Sequence, residues 1–441
     1  MLIMKKIEAT IKKFLSLNNW ADWFPVVSLI ILSPFFLFPS LKHTWIFLII
    51  PLAWVLRGIK RKKILDRTVI DWPIFLLFFQ VFISCLIVPD LSFSLPKIAG
   101  TLFAIALFYA VIAVLKTEGL IKIGITLYLC GGLLFSVIGL LGMFTFKGRY
   151  LDLIVRIKEA LPHIDFNLPG AEAGFQPNAV GGTLVLFMPL YFVFSNCRSR
   201  NRTNLIYENR YFFILVLSGL LITFSVLILS QSLEGWISLF LSSNIFIFVL
   251  LKNKKIKIVS VFFSIAILLF LISFIYITLT GREKITFNVV EYIKKAAAYR
   301  TQAWTVGIEA IKHHPFTGVG MNCLRLNPKI GYEFSHAHNH LLHTAAEMGF
   351  PALIAFLVIL IGTGFMSVQI WKKTSVGWMK MAVLGLGWGQ VAHLLFGITD
   401  SIPLGAKTGV FFWLSLALIS AIYNFVLRNK SKKSKEIVYS I

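Results

Sequence analysis

The residues best suited to chemistry lie in one short run. His336, His338, His340 and His343 fall within eight residues, beside Asn339 and ahead of Glu347. Imidazole is the side chain that exchanges protons near neutral pH, and Asn is a common partner for sugar hydroxyls, so the run suits proton transfer to or from a polar substrate. If the chain is helical from about Asn339, spacings of three and four bring His336, Asn339 and His343 toward one face, with His338 in the entry turn. Zinc is a second use for such a run, with His336, His340 and Glu347 as ligands. No His-Glu-x-x-His pattern or cysteine pair accompanies it, so no metal is assigned. The bland alternative is a polar interfacial helix with incidental histidines.

Two further clusters carry polar chemistry. Tyr299, Arg300 and Trp304 sit on an amphipathic stretch that ends at His314-Pro315, where Gly318 and Gly320 permit a tight turn. Arg300 can fork onto two phosphate oxygens, or it can snorkel to a headgroup. Gly318-Val319-Gly320 is not a phosphate loop, because no Walker lysine follows. The other cluster is Gln176-Pro177-Asn178. There Asn178 can cap a helix, or the open helix end can bind an anion or a sugar oxygen.

Long apolar segments must position these clusters. The 441 residues are 57% hydrophobic, with only 14% charged, well below the roughly 25% usual for a soluble domain. Lipid is the solvent that suits such a chain, and continuous apolar runs exclude an alternating β-barrel pattern. The expected fold is therefore all-α and polytopic, with about 12 transmembrane helices. The spans are placed near 23–39, 44–56, 70–88, 97–115, 122–145, 179–195, 211–230, 233–251, 258–280, 351–371, 379–397 and 406–427. The first 19 residues lack a signal-peptide cleavage site and are read as retained.

Charge orients the spans. The sequence has 43 Lys and Arg against 19 Asp and Glu, for a net charge of +24. Most of the basic residues cluster beside apolar runs on one side of a single alternating model, which the positive-inside rule makes cytoplasmic. That explains the charge without nucleic acid and makes anionic membrane lipids the partner of these clusters. Both termini are then cytoplasmic. Residues 1–280 hold nine spans with an outer loop near 146–178, residues 281–350 form a large outer loop, and 351–441 hold three spans and a basic tail. Cys85, Cys130 and Cys197 lie in or beside spans and are read as packing residues, while Cys323 stands alone in the outer loop.

Taken in order, the three clusters resemble the superfamily of O-antigen ligases and polymerases. The resemblance rests on Arg300 with Trp304, on the His-Pro-Phe-Thr-Gly-Val-Gly run ending at Gly320, and on the His-Ala-His-Asn-His-Leu-Leu run beginning at His336. Glu347-Met348-Gly349 and the Gln-Pro-Asn turn complete it. It implies a GT-C-like membrane glycosyltransferase of the bacterial inner membrane with a helical periplasmic loop. The donor would be a glycan on undecaprenyl diphosphate and the acceptor a hydroxyl of lipid A core, or of another lipid-linked repeat in a polymerase. Transfer would be inverting, with no cofactor or metal. The resemblance implies His338 as general base and Arg300 for the leaving diphosphate. His336, Asn339, Gln176, Asn178, His314 and Arg282 would contact substrate. The chain departs from the family at Leu233, where an arginine is expected, with Glu234 next to it. Arg282, Lys284 or Arg149 from nearby loops is one substitute; a different mode of donor binding, or a diverged or inactive member, is the alternative. A transporter of lipid-linked sugars is the non-enzymatic alternative.

Overall fold

In the computed structural model the described residues are 20–145, 176–196, 210–250, 289–326 and 336–438, with isolated positions between 258 and 273. They contain no strand. The helices are α1 (Trp20–Leu37), α2 (Ile49–Arg61, entered through a 3-10 turn at Leu41–Leu48), α3 (Asp71–Ile87), α4 (Leu91–Val114), α5 (Glu118–Thr145) and α6 (Pro177–Ser195). They continue with α7 (Arg210–Leu229), α8 (Leu233–Leu250), α9 (Val289–His313), α10 (His340–Lys373), α11 (Gly377–Thr399) and α12 (Gly409–Val438). Nine described spans are long and apolar enough to cross a membrane, and Asp71–Ile87 and Leu233–Phe248 are shorter apolar helices. The polytopic all-α expectation holds. The span expected at 258–280 and most of the loop near 146–178 lie outside the described residues.

Two boundaries differ from the sequence reading. The short second span is the 3-10 turn running into α2, giving Leu41–Arg61 as one apolar unit. The span expected at 351–371 is joined, through a kink at Gly349 and with no loop between, to a helical segment that starts at His340, so the histidine run leads directly into the membrane helix. A glycine at 349 makes this kink possible. Gly349, at φ 78° and ψ 172°, is non-helical and breaks α10 into two helical segments that meet at a kink, and Pro351 lies in the first turn of the second.

That bend receives the turn after α9. Val319 and Gly320 donate their N–H groups to the carbonyls of Ala346 and Glu347, each at 2.9 Å, and Phe350 donates to the carbonyl of Pro315 at 2.7 Å. The two backbones are so close that a Cβ on Gly349 would lie 2.4 Å from the Phe316 carbonyl carbon, and one on Gly318 2.3 Å from that of Glu347. Gly318 also has a positive φ, 67°. Replacing Gly349 by Ala is therefore expected to destabilise the protein by about 2 kcal/mol or more, from left-handed strain plus the clash. Thermal unfolding of the detergent-solubilised variant checks this, and an unchanged midpoint would contradict the docking.

Close packing elsewhere fixes the helices that face this turn. Along α11, Gly385 and Gly389 are four apart and admit the backbone of α6. A Cβ on Gly389 would lie 2.2 Å from the Leu186 carbonyl oxygen, the small-residue contact expected where lipid gives no hydrophobic drive. The last turn of α11 thus lies against the first turn of α6. Large apolar side chains such as Ile31 (66% exposed) and Ile361 (71%) face outward, as a bilayer requires.

The far end of α4 is held by charge. Arg57, only 2% exposed, pairs with Asp22 at 3.0 Å and Asp66 at 2.6 Å, while Lys116 reaches Asp22 at 3.0 Å. Burial raises the Asp66 pKa, but Lys116, Lys63 and Arg57 outweigh it and hold the carboxyl below its ordinary value. This knot ties α1, α2 and the α4–α5 junction at the end of the bundle away from the histidines.

Candidate functional site

Asn339 decides how the histidine run is divided. Its extended backbone (φ −156°) and a 2.9 Å hydrogen bond from Leu342 N–H to its side-chain oxygen make it the N-cap of α10. Its amide also donates to the Ile398 carbonyl at 3.0 Å, tying the cap to α11. The side chain thus positions the helix through both its oxygen and its nitrogen. His336 to His338, just before Asn339, are non-helical, and His340 and His343, after it, turn with α10.

The four histidines therefore part company. His340 and His343 are buried in the bundle. His340 packs against Phe356, with tilted rings and centroids 4.8 Å apart, and His343 Nε2 lies 3.3 Å from Glu347 Oε2. His336 and His338 remain at the mouth, with side chains 13% and 15% exposed. The expected face of His336, Asn339 and His343 does not form as drawn, because His336 precedes the helix. Its ring still approaches that of His343 at 6.3 Å.

His338 stands in the left-handed region at φ 45°. A non-glycine residue there carries about 1–3 kcal/mol of strain, and such strain collects at functional sites. The conformation brings its ring 4.1 Å from that of His336 and 5.3 Å from that of Tyr299.

Its decisive partner was not legible in the motif. Asp400, the C-cap of α11, places Oδ1 3.2 Å from His338 Nδ1, and Asn178 Nδ2 donates to its other oxygen at 3.1 Å. Ser401 N–H donates to Oδ1 at 2.8 Å. Asp400 is 4% exposed. Burial pushes its pKa up, but the His338 hydrogen bond, the two histidine charges and Ser401 prevail and hold it below the ordinary value. The only sequence signal was a lone carboxylate in the short link between the last two spans, on the histidine side of the topology.

His336 is built differently. Burial, partly opposed by Asp400, lowers its pKa to about 4, so it is neutral at physiological pH. Its Nδ1 accepts the His338 N–H at 3.3 Å. That leaves the proton on Nε2, so His336 is a neutral donor rather than a base.

The remaining candidates are distributed around this pair. Asn178 lies within the first turn of α6 and does not cap it. Gln176 is the N-cap, with no side-chain cap bond, and Pro177 takes the first helical position. Arg300 on α9 pairs with Glu234 at the head of α8, and its Nε donates to the Thr399 carbonyl at 3.1 Å. His314 is exposed just after the end of α9. Arg282, Lys284 and Arg149 lie outside the described residues.

Asp400 and the two mouth histidines also offer ligand atoms within 4.8 Å of one another, a spacing open to a divalent cation. The set differs from His336, His340 and Glu347, which the fold separates.

No curated protein matches the sequence. Residues 218–357 match the family model described as O-antigen ligase. The match runs from within α7 through Glu234, Arg300, the Gly318–Gly320 turn and the histidines, and stops before Asp400. Over this segment the chain is similar to the O-antigen ligase family.

Proposed function

We propose that the protein is a membrane glycosyltransferase that moves a glycan from undecaprenyl diphosphate to a sugar hydroxyl, in a GT-C-like bundle whose mouth faces the periplasm. The observation that carries this reading is the His338–Asp400 pair, set at the mouth of a multi-pass bundle whose matched segment is of the O-antigen ligase type. With Nδ1–H donated to Asp400, His338 presents the Nε2 lone pair. It takes the proton of the acceptor hydroxyl as the oxygen attacks the anomeric carbon, and the bond from that carbon to the diphosphate oxygen breaks. The lipid diphosphate leaves with the electron pair, and attack from the opposite face inverts the centre. Asp400 stabilises the imidazolium that forms, and His336 Nε2–H donates to a substrate oxygen. Lipid A core is the acceptor favoured by the form of the histidine run; a second lipid-linked repeat is the polymerase counterpart.

Purified protein would be incubated with a glycan on undecaprenyl diphosphate and each acceptor in turn. Product on lipid A core is the expected result, and product on neither acceptor sinks the reading. Activity should also persist in EDTA. Loss in chelator that added zinc or manganese restores would turn His336, His338 and Asp400 into metal ligands instead.

Glu234 already balances Arg300. For Arg300 to meet a leaving diphosphate, the carboxylate must be outcompeted. Glu234→Gln should therefore lower the KM for donor several-fold, a change of about 1 kcal/mol, by freeing the guanidinium. An unchanged KM would remove Arg300 from the donor site.

A further inference from the structure

α9 meets the histidine run along one stripe. Tyr299, Ala303, Gly307 and Ala310 are spaced by four, four and three, so they share a face of the helix. Along most of that face the contact is tight. Ala303, Val306 and Ala310 are buried in one cluster with Ala337 and Ala346, and Leu342 packs against it. A Cβ on Gly307 would lie 2.9 Å from Leu342 Cγ. Small side chains thus let α9 lie directly on the first helical segment of α10 and on Ala337, the residue between the two mouth histidines.

Tyr299 stands one turn before Ala303, so the same contact sets its position. Its ring centroid is 5.3 Å from that of His338, with 68° between the planes. The two rings cross rather than stack, so His338 covers one face of the phenol at most. Tyr299 is 43% exposed. Arg300, the next residue, is turned about 100° around the helix and goes elsewhere, to Glu234 and to the Thr399 carbonyl beside Asp400. Neighbouring residues of α9 therefore flank the His338–Asp400 pair on two sides, an aromatic ring against His338 and a cation against the residue before Asp400.

His338 Nδ1 faces Asp400, so Nε2, on the other side of the imidazole, is the atom that meets a hydroxyl in the reading above. A pyranose presents C–H groups on its faces and hydroxyls around its rim. A flat aromatic ring packs on such a face and leaves the rim free to hydrogen-bond. We propose that Tyr299 is the platform for the acceptor sugar, holding its ring so that one rim hydroxyl lies at His338 Nε2. The ligand class rests on the glycan-transfer reading. Two sugars enter that reaction, and the acceptor is assigned to Tyr299 because the proton that His338 removes belongs to the acceptor.

The full chain in phosphatidylcholine nanodiscs, without donor, would be titrated with lipid A core, and with lipid A lacking the core sugars as control. Tyr299→Ala and Tyr299→Leu should each weaken core binding about tenfold and leave the control unchanged. Leu keeps apolar bulk without a flat face, so it separates stacking from packing, and it decides the matter should the Ala variant fail to fold. Tyr299→Phe keeps the ring and should stay within about threefold of wild type. In transfer assays the loss should appear in acceptor KM, with kcat and donor KM within about twofold. Wild-type core affinity in both Ala and Leu variants overturns the proposal, as does a wild-type chain that binds core no better than the control. A fall in kcat at unchanged acceptor KM overturns it too, making Tyr299 a support for His338, and a rise confined to donor KM gives the ring to the donor sugar instead. The transfer reading fails separately: wild-type protein that binds core through Tyr299 and forms no product keeps the platform and loses the enzyme.

Discussion

His338→Ala is expected to lower glycan transfer by about 10²- to 10⁴-fold, the range of a lost general base, while the amount of folded protein in the membrane stays at the wild-type level. The second half of this expectation follows from the environment of the ring. His338 is at the mouth, partly exposed, and its substitution leaves no cavity in the bundle. The deficit should appear in kcat with little change in donor KM, because a base acts on the transition state rather than on donor binding. Transfer assays on purified protein at saturating donor measure it. A variant within twofold of wild type would leave the histidine pair without a catalytic role, whatever its geometry.

The second large effect is expected at Asp400, a residue outside the matched segment. Asp400→Asn should reduce transfer by about 10²-fold or more through the wrong imidazole tautomer and the loss of the charge that stabilises imidazolium. The carboxylate uses both oxygens as acceptors, one toward His338 and Ser401 and the other toward Asn178. An amide has one oxygen and one NH₂ group, so it satisfies only one side. With its oxygen toward His338 it turns a donor on Asn178. With its NH₂ toward His338 it forces the proton onto Nε2, where the lone pair must be. The pairing can be read apart from stability by combining Asp400→Asn with Asn178→Asp, which returns an acceptor–donor match on the α6 side but not the charge at His338. The double variant should recover unfolding temperature and not transfer rate. Recovery of both would make Asp400 a packing residue only.

These two residues show how far the sequence reached. The multi-pass helical architecture was legible because a bilayer demands runs of about 20 apolar residues and leaves little freedom in how they fold. The helix start at Asn339 was nearly legible too, since a residue that caps with its own side chain acts locally. Asn339 accepts from Leu342 three residues on, as a cap should. Local rules also foresaw the turn at Gly318–Gly320. They did not foresee its partner, because Gly349 meets Phe316 across more than thirty residues and only backbone proximity links them.

Sequence alone determined that four histidines and an asparagine lie together near one end of the bundle. It could not sort them by role, since proton transfer requires a partner and the partner of His338 is 62 residues away. The tertiary structure made that choice through helix packing. Gly385 and Gly389 let α11 lie against α6, and the same contact delivers Asp400 from one helix and Asn178 from the other to a single point. It likewise matched Glu234 with Arg300. Side-chain inventory is local and survives in the sequence. Pairing of charges depends on which helix ends meet, and in a membrane bundle that is decided by how closely small residues let the backbones approach.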